Sequence, residues 1–396
     1  MKNANTILEE NRAWAEETFQ KIDKKLSAMT IRSRDKLPDG VDEKGFHKNM
    51  YPERRTWWTN GFWGGLNWLM YHKTGNEEYL KTAKRSEELL EDATDDFAAL
   101  HHDVGFMWHL TAGVDARLTG DTKARNRDLF MAASLASRFV MNSEGEGGFI
   151  RAWNGKWESC SNYNWSIVDC LMNIPLLYWA SEEIGDDRFK RVAMAHADMA
   201  LRDHLRPDGS VVHIVEHERV HGTSVKTYGG QGYAEGSSWS RGCAWALYGF
   251  VLSYIHTKEE RYLDGAKQVA HYFIANCCDD WLPRVDFRAP ATPVLYDSTA
   301  GACAACGLIE IAKCVPEHES GMYMNAAINL LRAMGEKFCD WNPENDHLLD
   351  YGTARYPAAY DEEALKKAGV HMSIIYGDFF YTEAILKLLG SEFNPW

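Results

Sequence analysis

Apolar residues recur at helical spacing along this chain, and the breaks between the runs resemble one another. A first helix is predicted from about Ala4 to Met29, with Ile7, Trp14, Phe19, Ile22 and Leu26 as its apolar stripe. Further on, a short signature returns: Gly75-Asn76-Glu77-Glu78-Tyr79, Gly120-Asp121-Thr122, Gly185-Asp186-Asp187-Arg188-Phe189, Thr257-Lys258-Glu259-Glu260-Arg261-Tyr262 and, more loosely, Pro316-Glu317. Each follows an apolar run and precedes an amphipathic one, such as Tyr79–Ala93 or Tyr262–Ala275. In the clearer copies glycine closes one helix, an acidic residue or asparagine caps the next, and an aromatic opens its buried face. The interval is about 45 to 75 residues, enough for two helices and a variable loop. Neither end reads as the polar cap an open solenoid requires. With a last helix at Tyr381–Leu389, the pattern predicts an all-α fold, an (α/α)6 barrel of six helical hairpins, with residues 1–396 as a single domain.

One apolar stretch, Trp165 to Trp179, holds a lone carboxylate, Asp169. If the stretch is helical, Ser166, Asp169 and Asn173 share a narrow polar stripe. A carboxylate desolvated in this way holds a proton near neutral pH and suits a general acid, although a buried Asp satisfied by its neighbours fits the pattern equally well. His101-His102-Asp103 precedes a predicted helix start, where Asp103 suits an N-cap or a second carboxylate at the barrel mouth. The spacing has no HxxxH or HExxH, so no metal site is expected. Gly229 to Phe250 is the densest segment. Without GxxxxGK[ST] it is not a nucleotide loop; it enters a helix near Trp239 that carries Arg241 and Trp245 one turn apart. The Arg241 guanidinium suits a carboxylate or sulfate ligand, or else an internal Asp. Gly209 to Glu216 reads as one arm of a short hairpin. Cys303 and Cys306 match CxxC but have no second pair and fall within a helix, Thr299–Cys314, as small core residues.

Composition narrows the function. Net charge is −14, which excludes nucleic acid as a natural partner while allowing a short anionic ligand held by local cations. No apolar run is long enough for a membrane span, and the N-terminal residues lack a secretory core, so a cytoplasmic protein with reduced thiols is expected. Aromatics are abundant, with 15 Trp, 18 Tyr and 16 Phe. Many lie beside glycines and polar residues, as in Trp57-Trp58-Thr59-Asn60-Gly61-Phe62-Trp63, a mixture suited to stacking on sugar rings.

These segments, taken in order, resemble glycoside hydrolase family 88, the unsaturated glucuronyl hydrolases. The resemblance runs from about Trp57 to Tyr381, through Trp58–Trp63, His102-Asp103-Val104-Gly105-Phe106, Asp169 to Leu177, Gly230-Gln231-Gly232-Tyr233, Trp239 to Gly242 and Tyr376-Gly377-Asp378-Phe379-Phe380. It implies the same barrel and a hydrolase that removes the 4,5-unsaturated uronic acid from lyase-generated glycosaminoglycan oligosaccharides of chondroitin, hyaluronan or heparin type. It further implies Asp169 as general acid/base, Asp103 as partner carboxylate, and Trp58, Trp63, His102, Trp153, His213, Gln231, Arg241 and Trp245 around the substrate. No metal or cofactor is implied, and a monomer or small homo-oligomer is expected. The competing expectations are a family 105-type unsaturated galacturonyl-rhamnose hydrolase, a histidine-dependent sugar 2-epimerase on the same barrel, and a carbohydrate-binding protein that leaves its ligand intact.

Overall fold

The computed structural model describes residues 2–142, 147–157, 160–218 and 223–396. Helices dominate it. α1 (Ala4–Arg32) is followed by five hairpins. These are α2 (Asn60–Thr74) with α3 (Glu77–Glu91), α4 (Ala112–Thr119) with α5 (Thr122–Ala136), α6 (Pro175–Ile184) with α7 (Arg188–Asp203), α8 (Ser240–Thr257) with α9 (Glu260–Cys277), and α10 (Ser298–Cys314) with α11 (Glu317–Lys337). A short α12 (Glu362–Ala368) and α13 (Ile375–Leu388) complete the set.

The signature turns do what their residues dictate. Gly75, Gly120 and Gly185 adopt left-handed φ of 68°, 76° and 65°, where a side chain would be strained. Asn76 and Asp121 then accept the first backbone N–H groups of α3 and α5. At the fourth turn no glycine is present, and Lys258 itself takes the left-handed conformation, with φ 60°.

The two members of each hairpin differ in how they bury. α10 is buried without interruption from Ser298 to Ala312, and α13 from Ile375 to Leu388. α3 buries Tyr79, Thr82, Ala83, Ser86, Leu89 and Leu90, the single stripe of a helix with one wet face. The first members pack on one another in succession: α2 on α4, α6 on α8, α8 on α10, α10 on α13 and α13 on α2. A π-turn at Gly105–His109, just before α4, packs against α2 and α6. α1 packs outside, against α3, α11 and α13. The eight described cysteines with placed side chains are free, and Cys303 and Cys306 are buried within α10.

Small sheets interrupt the helices: β1 (Phe139–Met141) pairs with β2 (Gly148–Ile150), β3 (Lys156–Trp157) with β4 (Cys160–Ser161), and a three-stranded sheet corrects the sequence reading. Trp165 to Trp179 is not one helix. Trp165–Ile167 forms a strand, β5, Val168–Met172 is a 3-10 turn, and α6 begins at Pro175. β5 pairs antiparallel with β6 (Ile214–His217), which pairs with β7 (Ser224–Tyr228). Ile167 finds its ladder partner in Ile214 and Ser166 in Val215, and Pro175 is suited only to a first helical turn. Consequently Ser166 and Asp169 do not share a face. Ser166 Oγ turns away to His204 Nε2 at 2.8 Å and His217 Nε2 at 2.7 Å. The strand expected at 209–216 is present as β6, shifted toward its C-terminal end.

Candidate active site

The register of β5 on β6 builds the centre. The ladder pairs Ile167 with Ile214, and beyond it Val168 N–H donates to His213 O at 3.1 Å. Asp169 and His213 are thereby brought side to side, with His213 Nε2 3.4 Å from Asp169 Oδ2. The backbone N–H of Gln231 donates to His213 Nδ1 at 3.0 Å, which places the imidazole proton on Nε2, toward the carboxylate. Gly230, with φ 59°, makes this approach possible, since a Cβ there would lie 2.1 Å from His213 Nδ1. The His213 ring packs against Trp239 at 4.3 Å. The Asp169 side chain keeps 14% of its surface exposed.

Asp103 enters from the turn before the π-turn. It is not a helix cap. Its carboxylate lies 3.0 Å from His101 Nδ1 and 3.3 Å from His102 Nε2, and Asn173 Nδ2 donates to it at 3.2 Å. Burial works to raise the Asp103 pKa. The charge of His102 and the hydrogen bonds from His101 and Asn173 outweigh burial and hold it below the ordinary carboxylate value. Burial pushes His102 down, against the pull of Asp103 and Asp169.

Asn173 joins the two carboxylate segments. It donates to Asp169 O at 3.3 Å and to Asp103, and its Oδ1 accepts Phe106 N–H at 2.7 Å. All its hydrogen-bonding atoms are used inside the site. Gly105 permits the contact, because a Cβ there would lie 2.6 Å from Asn173 O. The interruption of regular α-helix at 105–109 falls at this junction, where π-turns often mark functional sites.

The remaining residues named from sequence divide. Trp153 is half-buried and lines an open cleft of about 460 Å³ with His101, Asn154 and Asn162. Trp58 is partly buried against Tyr376 at 4.9 Å and Phe106 at 5.7 Å. Gln231 Nε2 donates to Ala354 O at 2.7 Å. Trp63 is 1% exposed, with its Nε1 donating to Ser33 O, so it is part of the wall. Trp245 is fully buried against Phe106, Phe380 and Tyr376. Arg241 is equally buried. Nη1 meets Asp297 Oδ2 at 2.5 Å and Thr353 O at 2.7 Å, and Nη2 meets Ala354 O at 2.8 Å. The internal-Asp alternative for Arg241 is thus realised, while its charge, stacked on Trp239 at 4.5 Å, still acts on Asp169. Sequence reasoning passed over His101, Trp239 and the role of Gly105. The adjacency of His101 to His102-Asp103 was the available signal.

Among the described residues no group of three or more His, Cys, Asp or Glu side chains could hold a metal ion. Two carboxylates of different surroundings, Asp103 buried and hydrogen-bonded and Asp169 partly exposed beside His213, form a combination suited to acid/base chemistry. The family model for Glycosyl Hydrolase Family 88 matches residues 33–280. The chain belongs to glycosyl hydrolase family 88.

Its relatives agree in extent as well as in kind. An unsaturated glucuronyl hydrolase of Bacillus sp. strain GL1 is 33% identical, over 93% of this chain and 96% of that protein. An unsaturated chondroitin disaccharide hydrolase of Streptococcus pneumoniae is 31% identical, over 98% and 96%. Among solved structures, the unsaturated glucuronyl hydrolase from Streptococcus agalactiae superposes with a TM-score of 0.84 at 28% identity, covering 96% of this chain and 93% of that one. This family 88 protein is therefore an enzyme, a glycoside hydrolase, and no helix among its described residues is long and apolar enough to cross a membrane.

Proposed function

We propose that the protein hydrolyses the bond between a non-reducing 4,5-unsaturated uronic acid and its aglycone in lyase-generated glycosaminoglycan oligosaccharides, within one domain whose hairpins close as an (α/α)6 barrel. The succession of first members, returning from α13 to α2, supports the closure. The observation that carries the function is the pairing of partly exposed Asp169 with buried Asp103 through Asn173.

The C4=C5 bond of the sugar is an enol ether. Protonated Asp169 delivers its proton to C4, and positive charge develops on C5 and the ring oxygen. Asp103, kept ionised by His101, His102 and Asn173, steadies that charge. The Asp169 carboxylate then takes a proton from the water that attacks C5. The hemiketal so formed opens and the aglycone leaves. His213, with its proton on Nε2, orients Asp169 Oδ2. Arg241, held by Asp297, adds a buried positive charge to the field at Asp169, and Trp153 offers a face to a sugar ring in the open cleft. Because carbon is protonated, the separation of the carboxylates carries no stereochemical prediction of the kind made for ordinary glycosidases.

The test follows loss of the ultraviolet enol band on unsaturated chondroitin, heparin and rhamnogalacturonan disaccharides. Asp169→Asn is expected to lower kcat by about 10²–10⁴-fold with substrate binding retained. Near-full activity of Asp169→Asn, combined with loss in His213→Ala, would favour a histidine-based epimerase and refute the assignment.

A further inference from the structure

The C-terminal residues pass beneath α4 and end inside the helical core. Arg117, on α4, donates from Nη1 to Asn394 O at 2.9 Å and from Nη2 to Pro395 O at 2.6 Å. Trp396 is only 3% exposed. Its ring stacks on Phe380 of α13, with centroids 5.8 Å apart and planes 6° from parallel. Its Nε1 is shared by the two oxygens of Glu383, at 3.1 and 3.2 Å. Glu383 also accepts the Tyr248 hydroxyl at 2.5 Å and sits 3.4 Å from Lys387 Nζ. The indole is thus held by a flat aromatic face and by a buried charge network whose donors it completes.

What makes this more than packing is the neighbour on its edge. Trp396 meets Phe106 at 5.9 Å, edge to face at 82°. Phe106 belongs to the π-turn, and its backbone N–H is the group that Asn173 Oδ1 accepts at 2.7 Å. Asn173 in turn holds the Asp103 carboxylate and the Asp169 carbonyl. A continuous path of contacts therefore leads from the C-terminal indole to the Asp103 carboxylate and to the backbone of Asp169. The π-turn lacks the regular i to i−4 ladder that would fix it unaided, so its position depends on what packs around Phe106.

We propose that Trp396 is a positioning residue for catalysis: it supports Phe106 and so keeps Asn173 in register with Asp103 and Asp169. The inference rests on the assignment of those two carboxylates to the reaction. Removing the indole leaves Phe106 free to shift into the space. The carboxylates then lose their mutual geometry while Trp153 in the cleft, and His213 just before β6, stay in place. The consequence falls on kcat rather than KM, since displacement of reacting groups by about 1 Å costs up to 10²-fold in rate.

The experiment uses the full chain with Trp396→Ala, Trp396→Phe and, as a control for lost packing alone, Leu388→Ala on α13. Kinetics on an unsaturated disaccharide are measured well below the melting temperature of every variant. Trp396→Ala is expected to lose about 10- to 100-fold in kcat with KM within about twofold of wild type. Trp396→Phe should recover most of that loss, and millimolar indole, filling the vacated apolar site, should partly restore Trp396→Ala. Leu388→Ala is expected to be destabilised with kcat unchanged. Should Trp396→Ala not fold, Trp396→Leu fills the space without a flat ring and is read in the same way. A wild-type kcat in folded Trp396→Ala or Trp396→Leu overturns the proposal, as does a parallel loss in Leu388→Ala. Since Asp169→Asn is assayed alongside, an inactive Asp169→Asn with an active Trp396→Ala removes only this inference. An active Asp169→Asn removes the carboxylate assignment itself.

Discussion

Asn173→Ala is the substitution on which the geometry bears most directly. The side chain makes three hydrogen bonds: to Asp103 Oδ1, to Asp169 O and from Phe106 N–H. Alanine removes all three and leaves a buried N–H without a partner and a buried carboxylate with one donor fewer. At about 1–3 kcal/mol for an orphaned buried group, the two main losses together cost on the order of 2–6 kcal/mol of stability. The more specific effect is on titration. Asp103 is held below its ordinary value of 3.8 against burial, and Asn173 is one of the groups holding it. A carboxylate depressed in the fold adds stability that is complete above 3.8 and is lost as pH falls through its folded value. Without Asn173 the folded value rises. The acid limb of kcat/KM, set here by protonation of Asp103, moves to higher pH, and the stabilising contribution shrinks. The assay is the loss of the enol band between pH 3 and pH 8 (a range of about five units), with urea unfolding on the same samples. An acid limb that stays at the wild-type position in a folded Asn173→Ala protein would refute both the role of Asn173 and the assignment of that limb to Asp103.

Gly105→Ala places a Cβ 2.6 Å from Asn173 O and 2.7 Å from its Cα, both backbone atoms with little room to yield. It should cost about 1–3 kcal/mol in urea unfolding and lower kcat, whereas Gly75→Cys-type changes at an open turn would be felt only through φ. Arg241→Met leaves Asp297 buried without its cation, and a loss of about 3–5 kcal/mol is expected; Asp297→Asn added to the same chain should recover part of it, visible as a return of the urea midpoint. Burial holds His47 and His204 near 4, well below 6.5, so both are neutral in the fold while the unfolded chain protonates them. Stability is therefore unaffected above 6.5, declines as pH falls toward 4 and levels off below it, by at most on the order of 3 kcal/mol per histidine; His204→Gln should flatten that slope in urea titrations at pH 4 to 7.

Helix pairs were legible because their signals are local. Gly75-Asn76 and Gly120-Asp121 combine a left-handed residue with a cap, and the stripe of α3 has the period of a helix with one buried face. The family was legible as well, from the order of Trp58, His102-Asp103, Asp169 and Gln231 to Arg241 along the chain. Less was legible in the conformation around Asp169. An apolar run with Ser166, Asp169 and Asn173 at intervals of three and four fits a helix, and nothing within the run says that β6 waits 47 to 51 residues downstream to pair with it at Trp165–Ile167.

Sequence by itself determined which residues are the candidates for chemistry: two carboxylates in apolar surroundings, histidines beside one of them, and an arginine among aromatics. Tertiary structure alone decided how they act on one another. The strand register brings His213 to Asp169 and sends Ser166 to the opposite side. The tight crossing at Gly105 lets Asn173 reach Asp103. Arg241 is assigned to Asp297 rather than to open solvent. The physical reason is the range of the forces involved. Helix periodicity, caps and turns are settled within a few residues. Strand pairing, burial and the field around a carboxylate depend on groups far apart in the chain, which come together only once the core has closed.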